Sequence, residues 1–399
     1  MAKQQYDVVI VGGSFGGCVA GKVAAEKGLN ALIVERAQVP GEKVISGAAL
    51  NSVIFQYLPW LMEGPMERPI HGGWNHFMKG GQVQTSNLMV LPFPGAYTLY
   101  CRSFITWMAE QAAKAGAKLM TSTAATDVIK EKGFIKGIVT DAGEEIRSDI
   151  VIAADGMWSL IGIKAGIRKK FAAEDIFNGV WYDFTMPSKE DLDEALGGDE
   201  RYGGMSWWDP AGEMLGTHGV VGFFGIAAYK TSFHFGMGMA MPYAVEKRIN
   251  FDKLYNRFFQ HDYWKEHFGK AKLRSRMWRP YPLYCGLERD MKGNDRTTGN
   301  GIMVIGDAAG FEPTGTGMGI HTAMLSGKMA AEVAAEAISK GDTSDAFLKR
   351  YEEMWKSSLI YDAINERSRR DLTRWAGDEA QMKRHILDVA IMPGLTAVF

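Results

Sequence analysis

An apolar, β-branched run that breaks into glycines, Tyr6 to Gly17 (YDVVIVGGSFGG), is answered about 300 residues later by Gly301 to Gly310 (GIMVIGDAAG). Val8 to Val11 reads as a short parallel strand buried on both faces, and the glycines open a helix near Gly17. That arrangement aims free backbone N–H groups and a positive dipole end at a diphosphate. Gly12 makes the tight turn, and Gly17 lets helix and strand approach closely. Ser14 replaces the middle glycine of the G-x-G-x-x-G pattern, which crowds the approach to the pyrophosphate. A second apolar strand, Ala31 to Val34, ends in Glu35, 23 residues after Gly12. An acid there accepts ribose hydroxyl hydrogen bonds and selects a free 2′-hydroxyl. Both ends of the chain therefore build one dinucleotide site, and FAD is the expected cofactor.

With 399 residues the chain is long enough for two or three lobes and a sizeable core. A net charge of −1 gives no reason to expect nucleic acid or a strongly charged substrate. No apolar stretch reaches the ~18 residues needed to span a bilayer, and Met1 to Tyr6 is too short and polar for a signal peptide. The expected location is the cytoplasm. The three cysteines, Cys18, Cys101 and Cys285, form no C-x-x-C pair, so neither a disulfide framework nor a metal site is suggested. A [4Fe–4S] cluster needs about four thiolates, more than this chain holds. Cys18 is expected to pack as a small buried hydrophobe, and Cys285 to line a pocket or sit in the core.

The expected fold class is α/β: a Rossmann-like FAD-binding domain with a discontinuous mixed-sheet substrate domain and a helical C-terminal tail. The FAD-binding domain is read as 1–70, 99–170 and 296–340, with a substrate-lobe insertion at 71–98, a substrate or acceptor domain at 171–295, and a helical region at 341–399. Residues 103–115 read as an amphipathic helix with Ser103 as cap and Gly116 as stop. Strands follow at 118–120, 133–140 and 149–153. Between about 175 and 290 the texture is β-like and rich in aromatics, which line a tunnel or fill a core, with a helix at 251–260. From 318 to 338, and again from 343, the pattern is helical.

The downstream motif carries the flavin chemistry. Ile302 to Ile305 is another buried strand, and Gly306-Asp307 at its end is placed for the ribityl and phosphate region. Glu312 to Gly319 (EPTGTGMG) is a glycine-rich loop whose Gly317, Met318 and Gly319 let backbone approach a flat ring. The helix that follows can stabilise negative charge on reduced flavin. A third strand, Val151 onward, ends in Asp155-Gly156. His321 and Glu312 are the candidate catalytic residues, as proton carriers beside the ring; a helix-start histidine satisfied by backbone is the equal alternative for His321. His71, His76, His218 and His234 show no metal-ligand spacing.

The ordered set Gly12 to Gly17, Glu35, Arg102, Asp155-Gly156 and Gly306-Asp307 resembles the FAD-dependent group that contains aromatic hydroxylases, geranylgeranyl reductases and electron-transfer flavoprotein:quinone oxidoreductases. The resemblance spans residues 5 to 340 and implies that Arg102 reaches the FAD and that Asp155-Gly156 supports the pyrophosphate. The cofactor set also takes in Phe15, Arg36 and Ala125. Residues 39–50, 154–167 and 319–327 look most like FixC-type proteins, in which FAD takes electrons from an electron-transfer flavoprotein and passes them to a quinone or ferredoxin-like acceptor. The hydroxylases carry a histidine after Gly-Asp-Ala-Ala where this chain has Gly310, which counts against oxygen activation. The expectation is thus an electron-transfer dehydrogenase. The alternatives are a geranylgeranyl (prenyl) reductase saturating isoprenoid double bonds, an aromatic monooxygenase and a redox-inactive FAD scaffold. Candidate partners are an electron-transfer flavoprotein or ferredoxin-like subunit and a quinone or isoprenoid molecule, with no nucleic acid. In the tail, Arg367, Arg370 and Arg374 share a helix face, solvated or docking an acidic redox partner. The apolar finish at 386–399 packs on a partner, a membrane face or its own domain.

Overall fold

The computed structural model of the chain describes residues 5–42, 47–171, 176–209, 222–282, 296–312 and 319–365. Two compact units emerge, one made of Met1–Ile45, Cys101–Ala172 and Pro282–Arg369, the other of Ser46–Tyr100, Ala173–Tyr281 and Arg370–Phe399.

The first unit is built on a sheet in the order Thr298–Gly299, Ile302–Val304, Glu145–Ala153, Gln5–Val11, Ala31–Val34 and Lys118–Met120, with a hairpin of Ala125–Glu131 and Phe134–Thr140 alongside. Its last five strands are parallel. Val8, Val9, Ile10, Val151 and Ile152 are fully buried, which explains unbroken apolar runs where a one-sided strand would alternate. Val11 pairs with Ala153, and Ala153 with Val304, so the carboxyl ends of all three strands lie level. The helices Phe15–Glu26 and Ile320–Lys340 cross where Gly16 meets Gly327. A Cβ on Gly16 would come within 2.8 Å of the Ala323 carbonyl, and one on Gly327 would strike the Gly16 carbonyl. The bare crossing brings the two glycine motifs together.

Several boundaries differ from the sequence reading. The helix expected near Gly17 starts at Phe15. The helix expected at 103–115 is Cys101–Lys114, so Ser103 sits in its first turn instead of capping it. The strand Ala96–Tyr100 runs straight into that helix, and Cys101, Phe104, Ile105 and Met108 make its buried stripe. The first segment of the first unit runs to Ile45 where the sequence reading had 70, and Gly47–Asn51 and Met66–Ile70 both pair with Ala96–Tyr100 in a three-stranded sheet of the second unit. Residues 341–365 are helical as read, and they belong to the first unit. Helix Asp345–Lys356 packs on the first unit through Tyr351 Oη, which donates to the Val304 carbonyl at 3.0 Å, and Trp355 Nε1, which donates to Thr297 Oγ1 at 3.1 Å. Arg367, Arg370, Arg374 and the apolar finish lie outside the described residues, as do Cys285 and His218.

The second unit centres on a seven-stranded sheet ordered Lys272–Pro282, Ile176–Thr185, Ser232–Ala240, Gly222–Ala228, Tyr202–Asp209, Gly72–Lys79 and Gln82–Val90. From Ile176–Thr185 to Gln82–Val90 neighbours are antiparallel except Tyr202–Asp209 and Gly72–Lys79, which are parallel. One face carries Tyr182, Phe184, Trp207, Phe224, Phe233 and Phe235 against the helices Phe251–Phe259 and Asp262–Phe268. These aromatics, open between tunnel and core in the sequence, form a core. Each contributes roughly 1.5–3 kcal/mol of burial.

Candidate functional site

The glycine turn after the first strand is shaped by steric exclusion. Gly12 has φ +106°, a conformation costly to any side chain, and its Cα rests on the Ala154–Asp155 backbone. A Cβ on Gly17 would collide with the Gly12 carbonyl. Ser14, extended at φ −97° and ψ −164°, is the N-cap of the first helix, but its hydroxyl makes no cap hydrogen bond. Ser14 thus leaves the first-turn amides of Phe15 to Gly17 without a side-chain cap, and that turn carries no acid of its own. They are free to bind an anion.

Glu35 closes this turn from the next strand. The Gly13 amide donates to its Oε2 at 2.8 Å and the Ala37 amide to its Oε1 at 2.8 Å. Two backbone donors fix the carboxylate, and its remaining lone pairs are available to ribose hydroxyls. Arg36 points to solvent. The Thr123 amide donates to the Glu35 carbonyl at 3.0 Å, which draws the segment leading to Ala125 alongside. Arg102 lies in the first turn of its helix with its side chain exposed. Gly41, at φ +84°, would place a Cβ within 2.9 Å of the Arg102 carbonyl, so loop and helix are in close contact.

Asp155 follows the level ends of the central strands. Its Oδ2 accepts from the Ile161 amide at 2.8 Å, while Oδ1 is enclosed without a partner. Burial pushes the acid up to about 6, against backbone hydrogen bonds that pull it down. A buried acceptor left empty is unfavourable unless a ligand donor fills it. Gly156 turns the chain at φ +76° in open space.

The second motif arrives beside these groups. Gly306 at φ +58° opens a 3₁₀ turn to Ala309, and Gly310 at φ +78° ends it. The Asp307 and Glu312 carboxylates both lie against the bare Cα of Gly319, where a Cβ would collide with Glu312 Oε2 and sit 3.4 Å from Asp307 Oδ1. Gly319 is the N-cap of Ile320–Lys340 and supplies no side chain, so the positive helix end faces both acids. Glu312 and His321 are buried at 5% and 6% exposure. Gly317 and Met318 lie outside the described residues.

Sequence reasoning missed two hydroxyls that hold this turn. Ser326 Oγ accepts from the Gly306 amide at 3.1 Å, and Thr322 Oγ1 donates to the Gly319 carbonyl at 2.8 Å and lies 2.5 Å from the Phe311 carbonyl. Their i, i+4 spacing on an otherwise apolar helix face was the available signal. Cys18, fully buried, donates its thiol to the Gly13 carbonyl at 3.3 Å, and burial pushes the thiol well above its usual range. It packs as a small hydrophobe. No cluster of metal-ligating side chains occurs among the described residues.

Uncapped helix N-termini, a turn that excludes side chains, an anchored acid and an orphaned carboxylate oxygen together fit FAD. When bound, FAD supplies the two-electron chemistry of the site. A model of the family described as FAD dependent oxidoreductase matches residues 7–175. The digeranylgeranylglycerophospholipid reductase of Methanosarcina acetivorans is 32% identical over 377 residues, covering 90% of this chain and 83% of that protein. The enzyme of the same name from Methanothrix thermoacetophila is 32% identical over 365 residues, covering 88% and 83%. Among solved structures, a geranylgeranyl bacteriochlorophyll reductase-like protein from Thermoplasma acidophilum shares the fold at a TM-score of 0.78 and 23% identity, over 99% of this chain and 94% of that one. Motifs, fold and relatives agree: the chain belongs to the FAD-dependent oxidoreductase family.

Proposed function

We propose that this protein is a prenyl reductase that saturates double bonds in the isoprenoid chains of a lipid. One observation carries the reading: the 32% identity to enzymes named digeranylgeranylglycerophospholipid reductases runs over 90% of the chain, well beyond the FAD motifs that many oxidoreductases share. The electron-transfer reading, favoured by the loops at 39–50, 154–167 and 319–327, has no such support and becomes second choice. Gly310, where hydroxylases carry histidine, still argues against oxygen activation.

Reduced FAD, if bound, would supply the hydride equivalent that saturation requires. The chain's own residues bind and bias it. Glu35 and the amides after Gly12 hold the adenosine and diphosphate, Asp155 and Asp307 offer acceptors to hydroxyl groups, and the helix end at Gly319 favours negative charge by on the order of 1 kcal/mol. Glu312 and His321 are the proposed proton carriers, since both are buried within this unit close to that helix end. Only one dinucleotide fingerprint, Gly12 to Glu35, is present, so we propose that electrons come from a protein donor, ferredoxin-like or an electron-transfer flavoprotein. A lipid substrate also implies peripheral membrane contact; among the described residues no helix is long and apolar enough to cross a bilayer.

The test is single turnover. FAD-loaded protein is reduced anaerobically with dithionite and offered digeranylgeranylglycerophospholipid. Mass spectrometry should show the gain of one H₂ in the lipid per flavin reoxidised. Reoxidation by a quinone analogue with the lipid unchanged would reinstate the electron-transfer reading.

A further inference from the structure

The seven-stranded sheet ends, among the described residues, in two edge strands of opposite character. Lys272–Pro282 carries Lys272, Arg274, Arg276 and Arg279 and two prolines, Pro280 and Pro282. Charge and proline keep an open edge from pairing with another chain. The other edge, Gln82–Val90, has neither. It lies in a run from Gly80 to Cys101 without one Asp, Glu, Lys or Arg, in a chain where these residues make up 23%.

This unprotected edge is long and firmly held. Its nine residues exceed the usual strand of about five or six. Pairing with Gly72–Lys79 shifts register at Gln84, beside the hairpin turn, and is regular from Thr85 to Val90. Ser86 Oγ hydrogen-bonds His76 Nδ1 at 2.8 Å, and the Nε2 of that buried histidine meets Tyr263 Oη at 3.0 Å. In an antiparallel pair alternate residues turn their N–H and C=O groups away from the neighbour. From Thr85 to Val90 those outward groups meet no further strand among the described residues. The edge is a preorganised template for main-chain pairing.

Its side chains decide what it pairs with. Gln84, Thr85, Ser86 and Asn87 are exposed in succession, and all four are polar, which suits a lipid surface poorly. Without charge the strand offers nothing to a partner recognised by charge. A copy of the same strand fits. Across a twofold axis any charge on one strand recurs on the other, so that like faces like and repels, as it would on Lys272–Pro282. Uncharged amides and hydroxyls meet their own kind without that cost.

We propose that Gln82–Val90 pairs antiparallel, through Thr85 to Val90, with the same strand of a second copy of this chain and joins two sheets into one. The pairing uses the second unit alone and is independent of the substrate. One strand pair buries an area at the low end of specific interfaces, so association belongs in the micromolar range.

Sedimentation of the FAD-loaded chain over that range tests it. The parent should pass from the chain mass of 44.1 kDa toward twice that value as concentration rises. Thr85→Lys with Asn87→Lys gives this edge the protection the other already has, and should raise the dissociation constant at least about tenfold with FAD content unchanged. Leu273→Lys, at an exposed position on the opposite edge, should leave it as it is. Hydrogen exchange locates the contact on the parent itself, and decides alone if the doubly substituted chain does not fold: amides between Thr85 and Val90 should slow as concentration rises. A parent that stays monomeric overturns the proposal. If its edge amides are slow at every concentration, another segment of the same chain covers the strand; if they slow only on phosphatidylcholine vesicles, a membrane does. A dimer that the two lysines leave intact, or that Leu273→Lys dissociates, overturns it as well.

Discussion

In the first unit glycines sit at turns and a helix crossing, where Gly12, Gly16 and Gly17 let backbone touch backbone; in the second they stand inside strands, opposite a face packed with Trp207, Phe224 and Phe235. The first arrangement makes a nucleotide site out of main-chain groups and needs few side chains. The second puts its stability into large rings on one side and leaves the other side low. Excluded volume thus serves close backbone approach in the first unit, whereas in the second it makes room for a ring, as Gly236 does for Trp181.

The largest expected effect breaks the compensating core. Trp207→Ala removes a fully buried ring that meets Phe235, Phe258, Tyr263 and Phe268, and should destabilise by about 3–5 kcal/mol in chemical denaturation. If FAD content per folded molecule also falls, the two units are less separate in their duties than described.

Next comes Asp155. Its acid is raised from 3.8 to about 6 in the fold, so its contribution to stability is full below pH 3.8 and is lost as pH rises through about 6. Because the window spans about two units at 1.36 kcal/mol each, the loss is up to about 3 kcal/mol. Asp155→Asn should therefore gain on the parent in apo-protein melts between pH 4 and 6. FAD, by giving Oδ1 a donor, should shrink that gain; an equal gain with and without FAD would remove Asp155 from the site.

Gly17→Ala sharpens the steric half of the comparison. The collision with the Gly12 carbonyl should cost about 1–3 kcal/mol and release FAD, read from flavin absorbance after desalting. Gly156→Ala, with φ +76° but open space around it, should cost only about 1–2 kcal/mol of backbone strain. Equal losses would mean that conformation, not excluded volume, shapes the turn.

Much of the first unit was legible because its strands are buried on both faces, so Val8 to Val11 and Ala31 to Val34 read as unbroken apolar runs ending in glycine or acid. The site's hydroxyl braces were less so: the i, i+4 spacing of Thr322 and Ser326 was on the page, but their partners Phe311 and Gly306 are seen only in the fold. The boundary at residue 45 was hidden for a related reason, since Gly47–Asn51 declares its unit only by pairing with Ala96–Tyr100, about fifty residues away. Around 180 to 185 the information was present and unread. Even positions Val180, Tyr182 and Phe184 face the core, and odd positions Trp181 and Asp183 face the other way, a period of two that separates the ring-packed face from the other.

The contact of Gly16 with Gly327 also has a consequence for how the molecule comes into being. It joins positions more than three hundred residues apart, so the nucleotide site closes a very long loop and belongs to the slow class of folding events. A chain emerging from the ribosome exposes Gly16 and the strand end Val151–Ala153 long before the helix at 320 and Ile302–Val304 exist to cover them. Until then the end of Glu145–Ala153 that Ile302–Val304 pairs in the finished sheet has an open edge, which is where free FAD or a chaperone would decide between a finished enzyme and an aggregate.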